Sequence, residues 1–373
     1  MTGTMPLFEA YPALEERLPH RRLATLPTPL EPMPRLAELT GANGLWIKRD
    51  DQSGKLYGGN KVRKLEFLLG DALERGCGEV MTFGVAGSNH VLATGLYARE
   101  LGLAAIACVT PQTNSHYVAR NLQAGIGAGI EYLDFPSQRA ADEGARRRSL
   151  RSLLCRAREP YTIRMGGSSP LGTVGFVNAA LELARQFENT ASAFPDRIYL
   201  PLGTMGTAVG LAIGLRALTL PTRVIGVRVV DERIGNAEAC SRLYDATVEL
   251  LRQNDPRFPR LDARDAGIEI RHEFYGERYA VFTEAGTAAK RIFEDTEGVH
   301  LEGTYTAKAA AALLDDIART GAARENLLFW NTYNSRPLPE GAGDFDFRRL
   351  PEALRYYFEA PVQPLDRDGP PAV

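Results

Sequence analysis

The residues with the clearest chemical potential lie in Gly58-Gly59-Asn60-Lys61-Val62-Arg63-Lys64-Leu65-Glu66. Two glycines allow a tight turn. Asn60 suits a helix N-cap, and Val62, Leu65, Leu68, Leu69, Ala72 and Leu73 repeat at helical spacing until Gly76. Lys61 then falls in the first helical turn, where the positive end of the helix dipole disfavours an ammonium and favours a neutral amine or an imine. Such a lysine can form a Schiff base with an aldehyde cofactor. Taken alone, it reads first as a solvated lysine at a helix start. Usage adds weight to the Schiff-base reading: only six of the 44 basic residues are lysines (48, 55, 61, 64, 290 and 308), and guanidinium cannot do imine chemistry.

Further stretches pair a strand end with a helix start. Leu202-Gly203-Thr204-Met205-Gly206-Thr207-Ala208-Val209-Gly210 offers backbone N–H groups to a phosphate. Its spacing is neither that of a dinucleotide fingerprint nor that of a Walker A loop, which favours a small phosphate over a nucleotide. Gly87-Ser88-Asn89-His90 could cap a helix or seat a carboxylate. Gly166-Gly167-Ser168-Ser169-Pro170 opens another helix. Gly303-Thr304-Tyr305-Thr306-Ala307-Lys308, Tyr279 and Asn331-Thr332-Tyr333-Asn334 bring further hydroxyls.

The elements that must position these stretches alternate. Strands are predicted over 45–48, 79–84, 104–109, 161–164, 198–202, 224–230, 268–271 and 327–330, with helices of 10–18 residues between them. This order implies parallel sheets with right-handed crossovers. The units are too many for one small sheet, so the fold class is α/β, with two parallel-sheet domains and a cleft between them. Residues 1–40 are Pro-rich and loosely patterned. Residues 336–373 read as a Pro-rich, surface-lying extension with one short helix near 351–358. The Arg146-Arg147-Arg148 run reads as a solvated helix face.

Bulk properties narrow the function. A chain of 373 residues with 44% hydrophobic and 24% charged residues is ordinary for a globular protein. A net charge of −2 gives no support for a nucleic-acid partner. No apolar run approaches a membrane span, and no signal peptide is read at the N-terminus. The cysteines at 77, 108, 155 and 240 and the scattered histidines show no metal-ligand spacing, so no metal is expected. Cysteine usage fits a reducing cytoplasm.

With Leu26-Pro27-Thr28-Pro29-Leu30 and Lys48-Arg49-Asp50-Asp51, the Lys61 stretch resembles the 1-aminocyclopropane-1-carboxylate deaminase/D-cysteine desulfhydrase family, whose members are fold-type II enzymes dependent on pyridoxal 5'-phosphate (PLP). The resemblance runs from about residue 23 to 335. It implies a domain of 1–63 plus 177–335 that binds PLP, a smaller domain of 64–176, and a homodimer. By this resemblance Lys61 and Asn60 hold the cofactor, and residues Gly203, Thr204, Met205, Gly206 and Thr207 form its phosphate cup, with Met205 where a glycine is usual. Ser88 and Asn89 bind the substrate carboxylate and the cofactor's 3'-oxygen, with His90 and Gly167 beside them, and Ser88 helps to move a proton.

Tyr279 and Tyr305 match active-site tyrosines. Thr306 is expected to face the pyridine nitrogen, with Thr332 as a second partner. In the family a glutamate at the Thr306 position accompanies cyclopropane ring opening, and threonine accompanies β-elimination. The implied activity is therefore β-elimination from a small amino acid, giving a 2-oxo acid and ammonia. Ring opening, β-replacement or racemisation, and a PLP-binding protein without turnover are the alternatives. Departures from the family pattern occur at Gly87, Val91-Leu92, Phe282-Thr283 and Tyr333-Asn334.

Overall fold

The computed structural model describes residues 4–156, 158–338 and 345–367. Among these residues, ten strands occur in chain order: β1 (Leu30–Pro32), β2 (Gly44–Lys48), β3 (Glu79–Val85), β4 (Ala104–Thr110), β5 (Glu131–Asp134), β6 (Tyr161–Ile163), β7 (Arg197–Leu202), β8 (Arg223–Arg228), β9 (Ile268–Arg271) and β10 (Asn326–Trp330). They form a six-stranded sheet, β1-β2-β10-β7-β8-β9, and a four-stranded sheet, β5-β4-β3-β6. Every pairing is parallel except β1 with β2. The antiparallel strand went unread in the sequence because it is three residues long and contains Pro32. A proline lacks the ladder N–H and is tolerated here because β1 is an edge strand.

The strands buried on both faces are near-continuous apolar runs, as parallel sheets require. β7 is buried along its whole length. The Lys61–Glu74 helix connects the two sheets. Its Phe67 joins the core of the larger sheet, whereas Val62, Leu65, Leu68, Leu69 and Ala72 join that of the smaller.

The start of this helix is anchored by buried charge. Arg63 lies 2.8 Å from Asp50 and 2.9 Å from Glu182, and Lys48 lies 2.6 Å from Glu182. The Trp330 indole donates to Asp50 at 2.8 Å. Burial works to raise the Glu182 carboxyl, but Arg63 and Lys48 outweigh it and hold the group at about 2. Removing one member of such a cluster strands a buried charge, at a cost of roughly 3–5 kcal/mol.

Both ends of the chain depart from the sequence reading. Residues 4–18 contain two short helices, Pro6–Ala10 and Ala13–Arg17, and bury Leu7, Phe8, Leu14 and Leu18 in the larger core. Near the C-terminus the short helix is present at Glu352–Glu359, but the segment does not merely lie on the surface. Leu350, Leu354 and Tyr357 are buried in the smaller sheet's core. Leu354 and Tyr357, three residues apart, form the buried stripe of this helix, and its shortness hid it. Among the described residues, no helix is long and apolar enough to cross a membrane.

Candidate active site

The Lys61 turn is gripped by the end of β10. Gly59 adopts φ +88°, and a Cβ there would lie 2.8 Å from the Thr332 carbonyl. The Asn60 N–H donates to that same carbonyl at 3.1 Å, and the Gly58 N–H donates to Asn334 Oδ1 at 2.6 Å. At Gly58 a Cβ would meet the Asp51 carbonyl at 1.9 Å. Glycine is therefore required at both positions by close backbone approach. Asn60 occupies the N-cap position, but its side chain does not cap. The carboxamide instead donates to Thr207 Oγ1 at 3.0 Å. Lys61 follows as the first helical residue and lines a cavity of ≈ 290 Å³, where burial pushes its amine down to about 8.

Gly203, Thr204, Met205, Gly206 and Thr207 line the same cavity. They carry the chain from β7 into the Gly206–Ala217 helix, whose first N–H groups lack helical partners. Met205 holds the left-handed conformation, φ 64° and ψ −24°, which explains why glycine would be the easier residue there. Opposite, Ser168 Oγ lies 2.8 Å from Thr204 Oγ1 and accepts from the Gly206 N–H at 3.3 Å.

The Lys64 amine donates to Ser168 Oγ at 3.0 Å and to the Gly166 carbonyl at 3.2 Å. Burial, then the charge of Lys61, push this second amine well below the usual range. Neither lysine has a carboxylate partner among the described residues, and the only acidic residue lining the cavity is Asp231. Two amines and a helix N-terminus without a counter-ion are what a phosphate-bearing aldehyde would fit.

A second helix start opens on the cavity from the smaller sheet. Ser88 is the N-cap of the Asn89–Glu100 helix, and its hydroxyl accepts from the Val91 N–H at 3.3 Å. Asn89 Oδ1 accepts from the Tyr57 hydroxyl and from Asn121 Nδ2, both at 2.8 Å. That leaves the Asn89 amide nitrogen to serve the cavity. His90 also lines it, with Nε2 2.9 Å from Thr82 Oγ1. Burial, then the charges of Lys61 and Lys64, hold the ring neutral. Gly167 does not line the cavity. It stands behind His90, where a Cβ would lie 3.4 Å from His90 Cε1.

The third wall is aromatic. The Tyr279 and Tyr305 hydroxyls are hydrogen-bonded to one another with ring centroids 6.3 Å apart, and burial raises both above the usual phenol range. Thr306 departs from expectation because it does not line the cavity. Its hydroxyl accepts from the Glu302 N–H at 2.8 Å and donates to the Glu302 carbonyl at 3.3 Å, so it closes the first helical turn. The Glu302 carboxylate in turn caps the Tyr305 N–H at 3.0 Å. Thr332 lines the cavity beside Tyr333 and Asn334. The Tyr333 hydroxyl accepts from Arg120 at 2.5 Å.

Tyr57, Lys64 and Ser168 carry no assigned role in the sequence reading. The signal for Lys64 was present, because three residues from Lys61 places it on the same helix face.

Comparison with known proteins agrees with this geometry. Residues 22–332 match the family described as pyridoxal-phosphate dependent enzyme. The chain belongs to that family. This PLP-dependent enzyme is 34% identical to a Pyrococcus furiosus protein that carries the provisional name 1-aminocyclopropane-1-carboxylate deaminase, over 86% of this chain and 93% of that one. It is 33% identical to the D-cysteine desulfhydrase of Serratia proteamaculans, over 81% and 89%. Among solved structures it resembles an ACC deaminase homologue with a TM-score of 0.73 and 30% identity, covering 89% of this chain and 95% of that one. The processed form of threonine deaminase isoform 2 from Solanum lycopersicum shares the fold at a TM-score of 0.59 and 17% identity, over 95% and 86%. The enzyme thus has the fold-type II architecture, and its cofactor is PLP.

Proposed function

We propose that this enzyme eliminates a β-leaving group from a small amino acid, as a D-cysteine desulfhydrase does, releasing a 2-oxo acid and ammonia. One observation carries the reading: two helix N-termini, at Ser88–Asn89 and at Met205–Gly206, open on the cavity that holds the Lys61 amine. One suits a substrate carboxylate and the other a cofactor phosphate. Relatives named D-cysteine desulfhydrase at 33–34% identity support the choice of leaving group.

When bound, PLP supplies an electron sink for the charge developing at the substrate Cα. The protein does the rest. Residues 203–207 and Lys64 would hold the phosphate, and Thr332 would supply a neutral hydroxyl partner for the ring. Ser88 and Asn89 orient the substrate carboxylate. Lys61 would hold the cofactor aldehyde, and its amine is the base placed to take the Cα proton. Its depressed basicity suits that role near neutral pH. The Tyr279–Tyr305 pair offers an O–H to the departing group. From cysteine the balanced reaction consumes water and yields pyruvate, hydrogen sulfide and ammonia.

A second reading, opening of the 1-aminocyclopropane-1-carboxylate ring, draws support from the ACC deaminase homologue. The further reading is of a cytoplasmic homodimer, and the four unpaired cysteines fit a reducing compartment. Domains of 1–63 with 177–335, and of 64–176, accord with the membership of the two sheets. The functional test is Lys61→Ala. Loss of turnover together with the enzyme's cofactor absorption band supports the assignment, and retained turnover overturns it.

A further inference from the structure

The family match ends at residue 332, yet the chain beyond it returns to the active site. Within 345–367, Gln363 is buried and spends its carboxamide on both sides of the cleft. Its Oε1 accepts from the Phe282 N–H at 2.7 Å, and its Nε2 donates to the Ala280 carbonyl at 3.0 Å and to Ser115 Oγ at 2.7 Å. Its backbone N–H donates to the Asn114 carbonyl at 3.1 Å. Ser115 occupies the N-cap position of the His116–Gly127 helix on the smaller sheet, and Ala280 directly follows Tyr279.

The conformation of this loop calls for an external hold. Ala280 has φ 63°, a left-handed conformation that an alanine does not favour on its own. The carbonyl of residue 280 and the N–H of residue 282 both bond to the Gln363 carboxamide, much as they would to a neighbouring strand. The other end of the loop is fixed separately by Lys308, whose amine donates to the Tyr275 carbonyl at 2.6 Å.

A second contact from the same segment reaches the opposite wall. The Tyr357 hydroxyl accepts from the Gln112 N–H at 2.9 Å. The Gln112 side chain accepts from the Gly87 N–H at 2.9 Å, immediately before Ser88.

We propose that Gln363 is a positioning residue: anchored on Asn114 and Ser115, it holds the Tyr279 loop so that the Tyr279 and Tyr305 hydroxyls meet. Gln363 does not line the cavity and acts only through Tyr279. The inference rests on the proposed role of the tyrosine pair in the reaction.

The test is a double-mutant cycle on the PLP-loaded enzyme. Gln363→Ala is expected to lower kcat/KM by roughly 10–100-fold. In a Tyr279→Phe background the same change is expected to cost nothing further. An unchanged kcat/KM, or the same loss in both backgrounds, overturns the proposal. If Gln363→Ala does not fold, Gln363→Glu replaces it in the same cycle. When ionised, that variant keeps the acceptor for Phe282 and lacks the donor to Ala280 and Ser115. Hydrogen exchange of residues 278–281 in the cofactor-free protein separates the two claims. Exchange about tenfold faster in Gln363→Ala is expected, and unchanged exchange overturns the clamp. Should Tyr279→Phe alone leave kcat/KM unchanged, the role given to the tyrosine pair fails, and exchange still decides whether Gln363 holds the loop.

Discussion

The Asn60 carboxamide donates to the Thr207 hydroxyl at 3.0 Å, joining the residue before the reactive lysine to the first turn of the phosphate-facing helix. Each of the two helices that converge on the cofactor therefore fixes the start of the other. Asn60→Ala removes one net hydrogen bond, about 1 kcal/mol, and is expected to weaken PLP binding roughly five- to tenfold. Titration of the apoprotein by visible absorption checks this. Thr207→Val should match the effect, and the double variant should be no worse than either. Unchanged affinity would show that the link does not bear on the cofactor.

The separate fates of the two threonines give a second expectation. Thr332→Ala should lower kcat and cofactor affinity because Thr332 lies on the cavity wall. Thr306→Ala should instead lower thermal stability, by about 1 kcal/mol, through loss of its bonds to the Glu302 backbone. Its kcat in the folded enzyme should stay within about twofold of wild type. Steady-state kinetics set beside thermal melts distinguish the two effects.

Glu66 gives the fold a built-in pH dependence. Burial raises its carboxyl to about 7, against the opposing pull of the Leu23 and Ala24 N–H donors. A carboxyl raised in the folded state favours the protonated form. The stability it contributes is thus full below its unfolded value near 4.5 and is lost as pH rises through about 7. Glu66→Gln should differ little from wild type at pH 5, and should be more stable by up to roughly 3 kcal/mol above pH 8. Denaturant titrations at both pH values check it. A constant difference between the two proteins would contradict the assignment.

The sequence revealed what local chemistry dictates. Gly58 and Gly59 marked a tight turn, Pro170 marked a helix start, and apolar runs marked the central strands. Resemblance added the order of the site segments. What stayed hidden depends on tertiary neighbours. Asn60 looks like a cap in isolation, but Thr207 is a better partner once β7 and β10 lie side by side. For Thr306 the resemblance implied a ring-facing hydroxyl, whereas its bonds to Glu302, four residues earlier, match the helix-start role that a threonine there has on its own. Met205 gives no local hint that its backbone is left-handed. Gln363 is unremarkable in a Pro-rich tail, and its meaning comes from Ser115, Phe282 and Ala280, the last of them 83 residues away.

The central claim is β-elimination at Lys61, and the most direct measurement is the 2-oxo acid released by the PLP-loaded enzyme. D-cysteine, L-cysteine and 1-aminocyclopropane-1-carboxylate would be supplied in turn, with Lys61→Ala as the blank. The expected result is pyruvate and sulfide in equal amounts from D-cysteine, absent from the blank. Release of 2-oxobutyrate from the cyclopropane, with no pyruvate from either cysteine, would contradict it and establish ring opening in its place.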